Sequence, residues 1–130
     1  MKYNEISAII IDTAVKLHTD LGPGLYEVVY EAALTHLLHK RGLQCQRQVP
    51  IRFIYDGITF DEGFKADIIV NNKILLELKS TESMHAAHRK QLQTYLRLTG
   101  LKLGILLNFG QSYMKEGIVR AVNHLDEANE

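Results

Sequence analysis

The spacing of apolar residues along the chain shifts from a helical period to a strand period and back. Ile6, Ile9, Ile10, Thr13, Val15, Leu17 and Leu21 fall mainly on one broad helical stripe. Asn4 is placed to cap this first helix, and Gly22 and Pro23 stop it. After the short Gly22-Pro23-Gly24 loop, Tyr30, Ala33, Leu34, Leu37 and Leu38 give a second helix an apolar face. This helix runs from about Leu25 to Arg41, and Gly42 closes it. The period then falls to two. Val49, Ile51, Phe53 and Tyr55 alternate with Pro50 and Arg52 in a strand pattern. Pro50 lacks a backbone donor, which puts this strand near a sheet edge.

Asp56-Gly57 signals a tight turn into a second strand, about Gly63 to Val70. Asn71-Asn72 is a further turn, and a third strand follows from Lys73 to Lys79. Helical spacing returns from about Ser83 to Leu98, where Gly100 ends it. The run Leu101 to Phe109 is almost wholly apolar and reads as a central strand. Ile118 to Val122 suits a short last strand. Tight turns make the first three strands antiparallel, and a helical crossover makes the third and fourth parallel. The expected class is α/β (α+β), a mixed sheet flanked by helices in the order α-α-β-β-β-α-β(-β), the last strand optional. Residues 1–125 are expected to form one domain, with 126–130 as an acidic, frayed tail.

Composition narrows the function classes. The chain has 130 residues, of which 46% are apolar and 23% charged, an ordinary proportion for a globular domain. Fifteen basic and fifteen acidic residues cancel, which counts against a module that simply coats nucleic acid. Cys45 is the sole cysteine, so no internal disulfide forms and no zinc cluster is expected. With acidic residues near the start and no run of about 20 apolar residues, neither a signal peptide nor a membrane span is expected. The expected location is cytoplasmic.

Three charges interrupt the apolar third quarter of the chain. Asp67, Glu77 and Lys79 lie in strands otherwise built for burial on both faces. Buried charges must pair or bind a metal. Glu77 and Lys79 are two apart and share a face. Whether Asp67 joins them depends on the turn. A two-residue turn at Asn71-Asn72 pairs Ala66 with Glu77 and sends Asp67 to the other side. A three-residue loop, Asn71 to Lys73, pairs Asp67 with Glu77. Two adjacent carboxylates suit a hard divalent cation, and a nearby lysine suits proton transfer or phosphate contact. The bland alternative is an ion-pair network on a solvated strand.

Ala66-Asp67, followed by Glu77-Leu78-Lys79, resembles the D…ExK core of the PD-(D/E)xK nuclease superfamily. The element order is similar to the restriction-endonuclease-like core of that superfamily. Gly24-Leu25-Tyr26-Glu27-Val28-Val29-Tyr30 matches the GxxExxY motif after which one bacterial family is named. The resemblance runs from the first helix through the fourth strand, and its one departure is Ala66 in place of proline. It implies a nuclease acting on DNA, or less readily RNA, with Mg²⁺ or Mn²⁺ as cofactor. In this reading Asp67, Glu77, Glu27 and the Leu78 carbonyl are the metal ligands, Lys79 is the catalytic lysine, and Gln91 and Tyr95 are the substrate-contacting helix motif. A homodimer or a protein partner is a further expectation, and a membrane is not. The competing function is a catalytically silent member of the fold that binds nucleic acid or protein. Gln91 and Tyr95 also suit helix packing. His85 and His88 suit phosphate contact or, more readily, a solvated helix face, and Arg47, Arg52, Lys65 and Lys73 suit either a nucleic-acid groove or plain solubility.

Overall fold

A computed structural model describes residues 1–126; Glu127 to Glu130 of the expected tail lie outside the described residues. Two helices, α1 (Tyr3–Leu21) and α2 (Glu27–Lys40), precede a hairpin of β1 (Cys45–Tyr55) and β2 (Ile58–Val70). Then come β3 (Ile74–Lys79), α3 (Ala86–Thr99), β4 (Leu103–Asn108), a short 3₁₀ turn at Met114–Gly117 and β5 (Ile118–Val122). The strands form one sheet in sequence order. Only β3 and β4 are parallel, and the other neighbours are antiparallel. The mixed α+β sheet and element order expected from the sequence are what the chain forms.

Two cores cover the two sheet faces. Ile6, Ile10, Ala14 and Leu17 of α1 and Tyr30, Leu34 and Leu38 of α2 pack on Ile68, Val70, Ile74, Leu76, Leu103 and Ile105. Leu92 and Leu96 of α3 pack on Ala66, Ile69, Leu75 and Leu106 across the sheet. β4 is buried at every position, which explains its unbroken apolar run. β1 lies at the sheet edge, where Pro50 is tolerated. Among the described residues, no helix is long and apolar enough to cross a membrane.

Asn4 does not cap α1. The helix starts at Tyr3, and the Glu5 carboxylate accepts the Lys2 N–H at 3.1 Å. An acid in the first turn thus satisfies the backbone donor of the residue before the helix, and Tyr3 packs against the core. The hairpin strands are also longer than the alternation indicated. Asp56 and Gly57 both have positive φ, as a two-residue turn with the twist of the flanking strands requires, so β2 begins at Ile58 rather than Gly63.

The turn before β3 sets the site. Asn71 and Asn72 both adopt positive φ, and the Val70 carbonyl accepts the Lys73 N–H at 2.9 Å. That is the two-residue turn in local conformation. The ladder, however, resumes with Val70 opposite Ile74, Ile69 opposite Leu75 and Ile68 opposite Leu76. Lys73 is therefore one extra residue in the connection, and the register is that of the three-residue loop. Continued by one position, it sets Asp67 opposite Glu77.

Candidate metal and catalytic site

Past Ile68 and Leu76 the backbone ladder between β2 and β3 gives way to side-chain bonds. The Leu78 N–H donates to Asp67 Oδ2 at 2.8 Å, and the Asp67 N–H donates to Glu77 Oε1 at 3.3 Å. Each strand thus offers its main chain to the other's carboxylate. The cause lies in the side alternation. Ala66 and Ile69 both face the α3 core, although residues three apart in a regular strand point to opposite faces. On β1, Arg47 reaches Glu31 of α2 while Val49 packs on the α3 side. Both strands switch sides between these flanking pairs, at Gln48 and Asp67, and Gln48 has a φ of 50°.

Glu77 is only 6% exposed. Burial, and then the neighbouring Asp67 carboxylate, push its carboxyl up to about 8. Loss of hydration raises the cost of its charge, and a like charge adds to it.

α2 supplies the next group. Glu27 is its first residue, and its carboxylate accepts a bond from the Ser80 backbone. Burial raises its carboxyl, Lys79 opposes that, and Asp67 and Glu31 add to it. The entry to α2 is fixed by Tyr30, whose hydroxyl donates to the Gly22 carbonyl at 2.6 Å and accepts the Leu25 N–H at 3.2 Å. Its ring stacks on Phe109 at 4.4 Å, and Ser80 Oγ donates to the Leu25 carbonyl. Glycine, glutamate and tyrosine of the GxxExxY segment thus form one device. Gly24, with a φ of 105°, turns the chain, Tyr30 ties the loop, and Glu27 is presented beside Lys79 and Asp67. Tyr30→Phe is expected to lower stability by about 1–2 kcal/mol, because the Leu25 N–H and Gly22 carbonyl lose a partner. A shift in the urea midpoint at unchanged slope measures this.

α3 supplies the other wall. Tyr95 stacks on Phe64 at 3.7 Å between ring centres. Burial first, then Glu77 and Asp67, raise its hydroxyl above the usual range, which places it near the carboxylate pair. Gln91, one turn away, is exposed. His88, for which a solvated face was expected, is half-buried, and its Nδ1 lacks a hydrogen-bond partner. Burial, then the charges of Lys79 and His85, lower its pKa. His88, Gln91 and Tyr95 are spaced by three and four and share a helix flank.

The sequence reading missed Glu31 and Gln48, and it set His88 on a solvated face. The i to i+4 spacing of Glu27 and Glu31 was a usable signal for the first. Nothing in the residue types pointed to Gln48. The four basic residues considered for a groove each have a partner within the fold. Arg47 binds Glu31, Arg52 lies 3.6 Å from Asp61 and Lys65 3.4 Å from Glu62, while Lys73 reaches the Met1 carbonyl and the Tyr3 ring.

Among the described residues, no three His, Cys, Asp or Glu side chains converge closely enough to hold a metal ion by themselves. The donor set nevertheless suits a hard cation. Asp67 and Glu77 supply carboxylate oxygens whose mutual repulsion a cation would offset. The Leu78 N–H faces Asp67, and in an extended strand the carbonyl of the same residue faces the same way.

Comparison with known proteins identifies the family. The sequence model described as the PD-(D/E)XK nuclease superfamily matches residues 4–121. No curated protein matches the chain. The crystal structure of SSO0001 is similar at a TM-score of 0.47 and 21% identity, covering 96% of this chain and 81% of that one. The family match spans both strands that carry Asp67, Glu77 and Lys79, together with the helices on either side, and the chain belongs to the PD-(D/E)XK nuclease superfamily.

Proposed function

We propose that the chain is a divalent-metal-dependent nuclease of the GxxExxY type that hydrolyses phosphodiester bonds in DNA. The observation that carries this reading is the pairing of Asp67 with Glu77 across two strands, beside Lys79. Asp67, Glu77 and the Leu78 carbonyl would hold Mg²⁺ or Mn²⁺, with Glu27 completing the set from α2. Such an ion supplies positive charge where a phosphodiester gains negative charge, and makes hydroxide accessible near neutral pH.

The chain's own groups divide the remaining work. Lys79 lies within electrostatic reach of Glu27 and Glu77 on one side and His88 on the other. A lysine there orients an attacking water and, in its neutral form, accepts its proton. Gln91, exposed on α3, would donate to a phosphate or a base edge. Tyr95, stacked on Phe64, closes the α3 wall of the site and limits water access to the carboxylate pair. A recess lined by Glu27, Val28, Glu31, Arg47, Gln48, Asp67 and Leu78 lies on the α2 side and gives a strand of nucleic acid an approach.

Supercoiled plasmid and single-stranded DNA, each incubated with the chain and Mg²⁺ or Mn²⁺, test the proposal. Cleavage is expected with either ion, none with EDTA, and none by Glu77→Ala in any condition. Identical product patterns from the wild type and Glu77→Ala would remove the nuclease reading. DNA binding without cleavage would then favour the silent binding module.

A further inference from the structure

We propose that Gln48 is a positioning residue. It is held by Glu31, which Arg47 anchors in turn, and it fixes the orientation in which Asp67 receives a divalent cation. The inference rests on the metal reading of Asp67 and Glu77.

Glu31 is 5% exposed, on the sheet-facing side of α2. A carboxylate so placed needs compensation. Arg47 supplies it, with Nε and Nη2 each 2.9 Å from Oε2. The other oxygen, Oε1, accepts the Gln48 Nε2 at 2.6 Å. The Gln48 amide has a second N–H, and Nε2 also lies 3.4 Å from Asp67 Oδ1. A chain of bonds therefore runs from Arg47 through Glu31 and Gln48 to Asp67, linking α2 to β2 by way of β1.

The Asp67 carboxylate is consequently held from both sides. Oδ2 accepts from the Leu78 N–H, and Oδ1 faces the Gln48 amide. The Oδ1 contact is the longer, and a carboxylate oxygen has two acceptor positions, so Oδ1 keeps one for a cation. Residue type matters at this position. A carboxylate at position 48 would repel Asp67, and a lysine or arginine would compete with a cation for it. A neutral amide orients the carboxylate without taking its charge.

The backbone supports the same reading. Gln48 adopts a φ of 50°, a conformation in which glycine is the undemanding choice. The site keeps a side chain against backbone preference, and strain of this kind points to a function for that side chain. Glycine at position 48 should therefore remove the amide while easing the backbone, which separates positioning from stability.

The test compares Mn²⁺ binding, measured by calorimetry or electron paramagnetic resonance, with thermal unfolding. For Gln48→Gly the Mn²⁺ Kd is expected to rise roughly 10–100-fold, the usual consequence of losing a partner that orients a metal ligand. The melting temperature should hold or rise. Glu31→Gln, which keeps an acceptor for the Gln48 amide, should lose less affinity than Glu31→Ala. A Gln48→Gly Kd within twofold of the wild type overturns the proposal. A wild-type chain that binds no Mn²⁺ refutes the metal reading, and the positioning is then judged in crystals of Gln48→Gly. Loss of the Asp67–Leu78 bond supports it, and an unmoved Asp67 carboxylate overturns it.

Discussion

Lys79→Ala is expected to lower the rate of DNA cleavage by roughly 10²–10⁴-fold, the range over which a positioned proton-transfer group contributes. Lys79 ends β3 and is half-buried, with its partners already in place. Glu27 approaches from α2, Glu77 shares its strand face, and His88 lies across on α3. The amine is not a metal ligand, so Mn²⁺ affinity should change little while turnover falls. Lys79→Arg separates two roles. A guanidinium keeps the positive charge but does not give up a proton at working pH. Full activity in Lys79→Arg would leave only a charge or phosphate-holding role. Initial rates on a labelled oligonucleotide at saturating Mg²⁺ measure all three proteins. A Lys79→Ala rate within tenfold of the wild type removes Lys79 from the chemistry.

Much of this arrangement was legible in the sequence because burial and period are written in residue types. The apolar runs marked β2, β3 and β4, and the charges that interrupt β2 and β3 stood out. The face of Asp67 was not legible, because it depends on one residue. Asn71 and Asn72 form the turn their chemistry favours, yet Lys73 stays outside the ladder and shifts the register by one. The strand-side reversal at Gln48 was hidden for a related reason. A positive φ is readable from glycine or asparagine, and glutamine carries no such mark. Charge was legible only as a count. Lys73 is committed to Met1 and Tyr3 at the far end of the hairpin, and Arg47 to a buried helix acid, contacts that depend on the assembled fold. The GxxExxY segment was visible as a motif, but its logic needed coordinates. Tyr30 acts on the loop before Glu27, by bonding the Gly22 carbonyl and the Leu25 N–H.

Glu77→Gln is expected to be more stable than the wild type at alkaline pH without metal, by several kcal/mol at pH 9. In the folded chain Glu77 holds its proton to about pH 8, against an ordinary 4.5. Between those values the unfolded state binds fewer protons than the folded one, so the stability of the wild type falls as pH rises. The fall should begin near pH 4.5 and level off above about 8. Each tenfold change in proton affinity is worth about 1.4 kcal/mol, and Glu77 is buried enough that solvent screening removes little of it. Glutamine does not titrate, fills the same space, and still accepts the Asp67 N–H that Glu77 Oε1 now accepts. Glu27 also has a raised pKa, but it titrates in both proteins and cancels in the difference. Urea titrations from pH 5 to pH 9 should therefore give curves that coincide at the acid end and separate steadily upward. A cation that binds only the folded wild type adds stability by mass action, so millimolar Mg²⁺ should narrow or invert the gap at pH 9. Parallel curves across the whole range would mean that burying the Glu77 charge costs nothing. The strain that a metal is proposed to relieve would then be absent.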